Sequence, residues 1–314
     1  MEILQDLKYG ITLAELSIAA KESGASSNEL GILKNEEIPD DLKNTFLTQF
    51  KVIPERSRRV FNKYLKVVSE PEIKIMTHTT FGLSSISRII ALKNKNIFEN
   101  YVELQKTSNQ FEFHESTQNV LKFKAIGSLA RGLKPKSNIA LKLSTGGLIR
   151  YLGCLEAFRQ NQLASLLNHE APDPFIPHQK IVENFRRSEA IDLRWPLSLY
   201  MSVFPINMAN TLTDEEIEEG LNELTSAELL EKASESLYDL TPQGQWLMTE
   251  MASQCENMLA ISKTALVNKN KVFDFFLFFK CQNDIFFIKQ SGLESVILSI
   301  TDENLEEIMD GIFD

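Results

Sequence analysis

The spacing of apolar residues changes along the chain from a helical period to the alternation of β-strands. Leu13 and Leu16 begin one helical pattern, and Val60 and Tyr64 belong to another. Both patterns are typical of amphipathic helices. From Glu72 onward the apolar positions alternate with polar ones, which predicts strands in place of helices.

Four short strand-like runs follow one another before the next helical pattern. They are EIKIMTHTT at residues 72–80, SRIIALK at 87–93, IFENYVELQ at 97–105 and QFEFHES at 110–116. The polar stretches KNKN and KTSN between them have the length and composition of hairpin turns. The first half of the chain is therefore predicted to form helices, then an antiparallel β-meander, then a helix that begins near residue 116.

A second stretch of the chain repeats the pattern of the first meander. Residues 97–116 align without a gap on residues 272–291, which places Tyr101 on Phe276, and an NKN turn precedes both blocks. Because the turn agrees as well as the apolar alternation, the match favours an internal duplication. Each of the two predicted meanders also precedes a predicted helix.

We therefore predict an α+β fold of two internally duplicated halves, residues 1–144 and 145–314, each with helices and an antiparallel meander. The second meander is expected at residues 258–300 and its following helix at 301–313. The run FDFFLFF at residues 273–279 is apolar on both faces, which predicts a central strand. Its counterpart FENYVEL keeps polar positions, so we expect it near an edge of the sheet or half exposed. Trp195 and Trp246 are predicted to anchor the core.

Within the second half, residues 211–248 outline a helix, a two-strand turn and another helix. A capping box, T-D-E-E, opens the first helix at residues 213–216. The run L-x-x-L-x-x-A-x-L-L at residues 221–230 leads into LYDLTPQG at residues 237–244. This outline resembles the recognition helix, wing and following helix of winged-helix regulators. It departs from them in two ways: Glu228 replaces the glycine that usually precedes the paired apolar residues, and the wing tip is minimal. The resemblance implies a winged-helix-like segment that binds DNA or another protein.

The charge of this segment argues for a protein partner. Residues 211–256 contain twelve acidic residues against one lysine, while the whole chain has a formal net charge of −10 and a pI near 5.1. Neutralising phosphates with cations supplies most of the affinity for DNA, so the segment disfavours nucleic acid and suits a basic protein surface. A solvated face with no partner is the alternative for any single glutamate. The candidate protein-interaction residues are Glu215, Glu216, Glu219, Glu223 and Lys232.

The alternative function is a winged-helix transcriptional regulator that binds DNA through basic residues elsewhere. The candidate basic residues are Arg56, Arg58 and Arg59 in one predicted helix and Arg186 and Arg187 in another. A solvated helix face accounts for these arginines without any ligand. Protein binding therefore remains the leading hypothesis.

Two further places carry residues capable of chemistry. The loop at residues 169–178 holds two histidines and two acidic residues, but its prolines break the helical spacing of a zinc-protease motif. The turn STGG at residues 144–147 lies where backbone N–H groups can hold an anion, but it lacks the length and the lysine of a P-loop. We predict no catalytic residue, cofactor or metal, and keep an enzyme with its site at one of these places as a third hypothesis.

Cysteine usage and hydropathy point to the cytoplasm. Cys154, Cys255 and Cys281 are odd in number and far apart, which is typical of reduced thiols. The longest apolar run, residues 272–279, is too short to span a membrane, and the first residues lack the features of a secretory signal. We expect a non-enzymatic cytoplasmic protein-binding factor, such as an adaptor, a chaperone-like factor or a scaffold subunit. Pseudo-twofold α/β proteins that hold secretion substrates are one precedent, although no residue motif ties the chain to them.

Overall fold

A nine-stranded antiparallel sheet lies at the centre of the fold in a computed structural model of the chain. The structure describes residues 12–25, 27–31, 39–52, 55–81, 85–107, 110–130, 136–171, 173, 175–187, 195–203, 213–253 and 255–314. Helices pack on both faces of the sheet. The predicted α+β class is confirmed.

The elements have the following bounds. The helices are α1 (Leu13–Glu22), α2 (Asp40–Val52), α3 (Glu55–Ser69), α4 (Gln118–Leu129), α5 (Thr145–Asn168), α6 (His178–Arg187), α7 (Pro196–Val203), α8 (Asp214–Ser226), α9 (Pro242–Ser253) and α10 (Asp302–Phe313). The strands are β1 (Ile73–Phe81), β2 (Ser85–Asn94), β3 (Phe98–Thr107), β4 (Gln110–Ser116), β5 (Ala140–Ser144), β6 (Phe175–Pro177), β7 (Leu230–Ser234), β8 (Leu237–Leu240), β9 (Cys255–Val267), β10 (Asn270–Cys281), β11 (Ile285–Ser291) and β12 (Glu294–Ile300).

The strand order joins the two predicted meanders into one continuous sheet. That order is β4-β3-β2-β1-β9-β10-β11-β12-β5. The join is made by β1 and β9, which run antiparallel in a register that places Thr77 opposite Ile261. Hairpins connect the strands within each meander. The first strand of each meander therefore lies beside the first strand of the other.

Three clusters of buried apolar side chains hold the helices against the two faces of the sheet. On one face, α4 and α10 pack on residues that include Ala91 and Phe276. Their neighbours Leu92 and Phe275 point to the opposite face, because successive side chains alternate along a strand. There α1 to α3 pack around Leu92, and α5 to α9 pack around Phe275. Burying each such side chain contributes about 1.5–3 kcal/mol.

The expected difference between β10 and β3 is present in their positions. β10 is the sixth strand in the order, and residues 275–279 are at most 6% exposed. β3 lies one strand from the edge, as expected. Among its polar positions Glu99 is exposed and Asn100 is half-buried, as expected, but Glu103 is 2% exposed and its carboxylate accepts a hydrogen bond from the Lys124 ammonium at 2.8 Å. The charge partner on α4 makes this burial possible.

The internal duplication remains a prediction. In the order of elements, the first series of four strands and a helix is β1, β2, β3, β4 and α4. The second series is β9, β10, β11, β12 and α10, so the third strand β3 corresponds to β11. The gap-free sequence match instead pairs β3 with β10. The division at residues 144 and 145 also remains a prediction, and the two halves are interleaved there, since β5 from the first half pairs with β12 from the second.

The helix, two strands and second helix predicted for residues 211–248 are present as α8, β7, β8 and α9. A third strand, β6, completes a small sheet in the order β6-β8-β7. The segment that forms β6 was predicted to be part of a proline-containing loop, but Ile176 is fully buried and lies opposite Tyr238 of β8. Proline is compatible with such a short edge strand. The winged-helix resemblance itself stays a prediction.

Cysteines and tryptophans differ in how well their surroundings were predicted. Cys154 and Cys281 are buried, Cys255 is half-buried and none forms a disulfide, as predicted. Trp246 was predicted to anchor the core, but it is 36% exposed and meets the edge of Phe286 at 6.1 Å between ring centroids.

Among the helices that the structure describes, none combines the length and apolarity needed to cross a membrane.

Candidate functional site

The candidate site centres on α8, which crosses the beginning of α5 at very short range. Gly220 of α8 lies against the backbone of Gly146 and Gly147, so a Cβ added at Gly220 would lie 2.6 Å from the Gly146 carbonyl carbon and oxygen. Glycine permits this approach because it has no side chain. The crossing determines which glutamates of α8 face α5 and which face outward.

The predicted capping box at the start of α8 is confirmed. The Thr213 amide donates to the Glu216 carboxylate at 2.7 Å, and the Glu216 amide donates to the Thr213 hydroxyl at 3.1 Å. Such a cap satisfies two backbone donors that a helix leaves unpaired. Glu216 therefore has a structural role, although its side chain stays exposed.

Glu223, one of the candidate protein-interaction residues, faces the N-terminus of α5. Its carboxylate accepts a hydrogen bond from the Ser144 amide at 2.9 Å, at the N-terminus of α5, and its side chain is half-buried. The positive end of a helix dipole favours an anion at this position. The turn at residues 144–147 thus holds an anion, as its sequence allowed, but that anion is the chain's own carboxylate.

Two of the predicted interaction residues on α8 remain on its outward face. Glu215 and Glu219 are exposed and lie one helical turn apart, so they share one side of the helix. Asn222 and Ser226 continue the same side and are also exposed. We call these four residues the outward stripe of α8. Lys232, on β7, is likewise exposed.

A buried arginine beside α8 forms a cluster that was not predicted from the sequence. Arg150 of α5 is 3% exposed and donates to the Glu218 carboxylate of α8. The other oxygen of Glu218 lies 3.0 Å from Nε2 of His178, whose ring is 6.3 Å from that of Tyr238. Burial, followed by the negative charge of Glu218, raises the pKa of Tyr238. The cluster ties α8 to α5, α6 and β8.

One signal for this cluster was available in the sequence. Arg150 interrupts the apolar run LIRYLGCLEAF, and a buried arginine needs a carboxylate partner.

Cys154 lies one turn further along α5, and burial raises the pKa of its thiol to about 12. A thiol with so high a pKa stays protonated and is a poor nucleophile.

The histidine loop at residues 169–178 does not bring its polar side chains together. His169 ends α5 in a left-handed conformation with φ of 57°, whereas His178 begins α6 and turns to Glu218. Asp173 accepts a hydrogen bond from the Phe175 amide. Within the described residues, no three histidine, cysteine or acidic side chains are grouped to hold a metal ion.

The candidate basic residues lie on separate helices. Arg56, Arg58 and Arg59 belong to α3, in the layer with α1 and α2, and Arg186 and Arg187 end α6 beside α5. Arg59 pairs with Glu55 one turn away at 2.5 Å, and both side chains are exposed. The side chains of Arg56, Arg186 and Arg187 lie outside the described residues.

Comparison with known proteins identifies a similar fold and no sequence family. No family model matches the chain, and no curated protein matches it. A solved structure of the Mycobacterium tuberculosis type VII secretion system chaperone EspG5, in complex with the PE25-PPE41 dimer, is similar with a TM-score of 0.50 and 7% sequence identity. The match covers 98% of this chain and 95% of that chain. The two chains share a fold. At such low identity the likeness extends no further than that.

Proposed function

We propose that this protein is a non-enzymatic, chaperone-like factor that binds another protein. The observation that supports the proposal most directly is the fold, which matches EspG5 from end to end, and EspG5 was solved in complex with a protein dimer. A shared fold is compatible with many functions, so further support has to come from the surface of this chain.

The outward stripe of α8 supports a partner with a basic surface. Glu215 and Glu219 are exposed on it, and residues 211–256 carry twelve acidic residues against one lysine. Such a field attracts a positively charged protein over several ångströms and raises the rate of association. The same field repels the phosphates of DNA.

The absence of a catalytic role is part of the proposal. It is supported by the contacts made at the two places considered for chemistry, the turn at residues 144–147 and the loop at residues 169–178. Glu223 holds the N-terminus of α5, and His178 faces Glu218, so both are engaged in packing α8.

Three cysteines without a disulfide suit a cytoplasmic location, where thiols stay reduced.

Affinity capture followed by charge reversal tests the proposal. The tagged full-length chain, expressed in its native host, is expected to retain a stoichiometric protein partner, which is then purified for kinetic measurements. Reversing Glu215→Lys and Glu219→Lys together should lower the association rate about tenfold and flatten its dependence on salt.

The matched control is the pair Glu303→Lys and Glu307→Lys on α10, which has the same spacing, exposure and charge change. Capture of no protein partner would contradict the proposal, and so would equal losses in both variants. Salt-sensitive retardation of duplex DNA that depends on Arg58 and Arg59 would support the regulator hypothesis instead.

A further inference from the structure

A groove between the end of α5, the end of α9 and the sheet is left uncovered by the residues that the structure describes. It has a volume of about 520 Å³. Its floor and walls are mainly apolar and include Leu163, Leu166, Met251, Ala252, Met258 and Phe279. This volume lies in the range of sites that bind a ligand or the side chains of a partner.

Three leucines at the end of α5 extend the apolar surface out of the groove. Leu163 is 39% exposed, Leu166 is 72% exposed and Leu167 is 79% exposed. Their spacing of three and four residues places them along one side of the helix. We call them the leucine ridge. The earlier turns of α5 are buried from Thr145 to Phe158, so the exposure is confined to the end that borders the groove.

The charges at the rim of the groove indicate what kind of partner it fits. Glu170 and Glu256 are both exposed there, and the Glu256 carboxylate also lies 4.0 Å from the Lys280 ammonium, whose side chain is 19% exposed against 50% for Glu256. Arg159 also lines the groove, but its guanidinium lies over the ring of Trp195, 5.0 Å from the centroid. The exposed charges at the rim are therefore carboxylates, which complement lysine or arginine at the ends of a bound segment.

We propose that this groove and the leucine ridge bind an amphipathic helix of the partner protein. Apolar residues of that helix at positions i, i+3, i+4 and i+7 enter the groove and cover the ridge, and basic residues at its ends meet Glu170 and Glu256. The inference rests on the proposed function, since it names where and how a protein partner is held.

A helix fits the observations better than a small apolar ligand or a second copy of the chain. A ligand confined to the groove leaves Leu167 uncovered, because that residue lies beyond the lining. A second copy would bring Glu170 and Glu256 of both chains into one interface, and pairing like charges opposes association.

Fluorescence anisotropy with synthetic peptides tests the proposal on the full-length protein. The probe is a labelled peptide of about 18 residues, long enough to form a helix, with a leucine stripe at helical spacing and lysines at both ends. Two reference peptides have the same leucine stripe with glutamates at the ends, or the same composition in shuffled order. The lysine-flanked stripe should bind about tenfold or more tightly than either reference.

Variants of the groove should abolish this preference. Leu166→Glu with Leu167→Glu should weaken binding of the lysine-flanked peptide about tenfold or more, and Ala252→Trp should block it by filling the groove. Phe123→Glu is the matched control, since Phe123 is a 78% exposed aromatic residue on α4. All three variants should unfold at the same temperature as the unchanged protein.

The outcomes separate this inference from the proposed function. Equal binding of the stripe and the shuffled peptide, or of both charge types, would overturn the inference. Self-association that Leu166→Glu abolishes would assign the groove to a second copy and would overturn it as well. If a captured native partner binds the leucine variants with unchanged affinity, the assignment of the groove as the binding site is wrong and the proposed function stands. If the groove binds the peptide while no native partner is captured, the groove stands and the proposed function fails.

Discussion

Replacing Gly220 with alanine tests the close crossing of α8 over α5. The added Cβ would lie 2.6 Å from the Gly146 carbonyl carbon and oxygen and 2.8 Å from the Gly147 nitrogen. These atoms belong to the backbone, so no rotation of a side chain can relieve the contact. The helices must separate by roughly 1 Å to restore van der Waals distances of about 3.5 Å.

The expected cost follows from three contributions. Alanine favours a helix interior over glycine by about 0.5–1 kcal/mol, and overpacking opposes this by about 1–3 kcal/mol. Separation also stretches the hydrogen bonds of Glu218 to Arg150 and of Glu223 to the Ser144 amide, each of which contributes about 1 kcal/mol. We expect Gly220→Ala to lower the free energy of unfolding by about 2–3 kcal/mol.

Urea unfolding followed by circular dichroism measures this cost. Gly127→Ala in α4 and Gly311→Ala in α10 are controls of identical chemistry, since a Cβ at either position meets no atom within 4 Å. Both controls should raise the midpoint, because alanine stabilises a helix by about 0.5–1 kcal/mol over glycine. A midpoint raised by Gly220→Ala as well would refute the crossing described above and, with it, the contacts of Glu218 and Glu223 with α5.

Three further predictions concern polar side chains that pair with groups inside the fold. Glu218→Gln removes the carboxylate that faces Arg150 and should cost about 1–2 kcal/mol in urea unfolding, a modest value because Glu218 is 48% exposed at its side chain; no change would mean that the ion pair is solvated. Tyr200→Phe leaves the buried Gln290 amide oxygen without the donor it has at 2.5 Å and should cost about 1–3 kcal/mol, whereas an unchanged midpoint would show that water replaces the hydroxyl. Burial, followed by the charge of Asp314, raises the pKa of Tyr101 from 10.0 to about 12. Because the folded state keeps the proton that the unfolded state loses, stability should fall as pH rises from 10 to 12, and this fall should be smaller in Tyr101→Phe; a tyrosinate absorbance titration with every midpoint near 10 would contradict the shift.

Local patterns in the sequence were sufficient to predict most elements of the fold. The alternation of apolar residues predicted the strands of both meanders, and the T-D-E-E motif predicted the cap of α8 at Thr213. The pairing of β1 with β9 was beyond such patterns, since it joins segments that are distant in sequence. The gap-free alignment of β3 with β10 stays a prediction, because strands of period two match one another in many registers.

The direction of individual glutamates could not be predicted for a similar reason. Leu221 and Leu224 are buried and lie at helical spacing on α8, but helical periodicity does not show that Glu218 and Glu223 meet groups on α5. The exposure at the end of α5 also depends on packing, because composition alone does not show that Leu167 is 79% exposed.

Helix α5 connects the two surfaces proposed to bind a partner. Its first turns are buried and hold α8 in place through Arg150 and the Ser144 amide, and its last turns carry the leucine ridge. The two surfaces act over different distances, because charge attracts a partner before contact and apolar burial holds it afterwards. Charge reversal at Glu215 and Glu219 should therefore act mainly on the association rate, and the leucine substitutions mainly on the dissociation rate. A partner whose association and dissociation rates both respond to only one of these surfaces would show that the other is not part of its binding site.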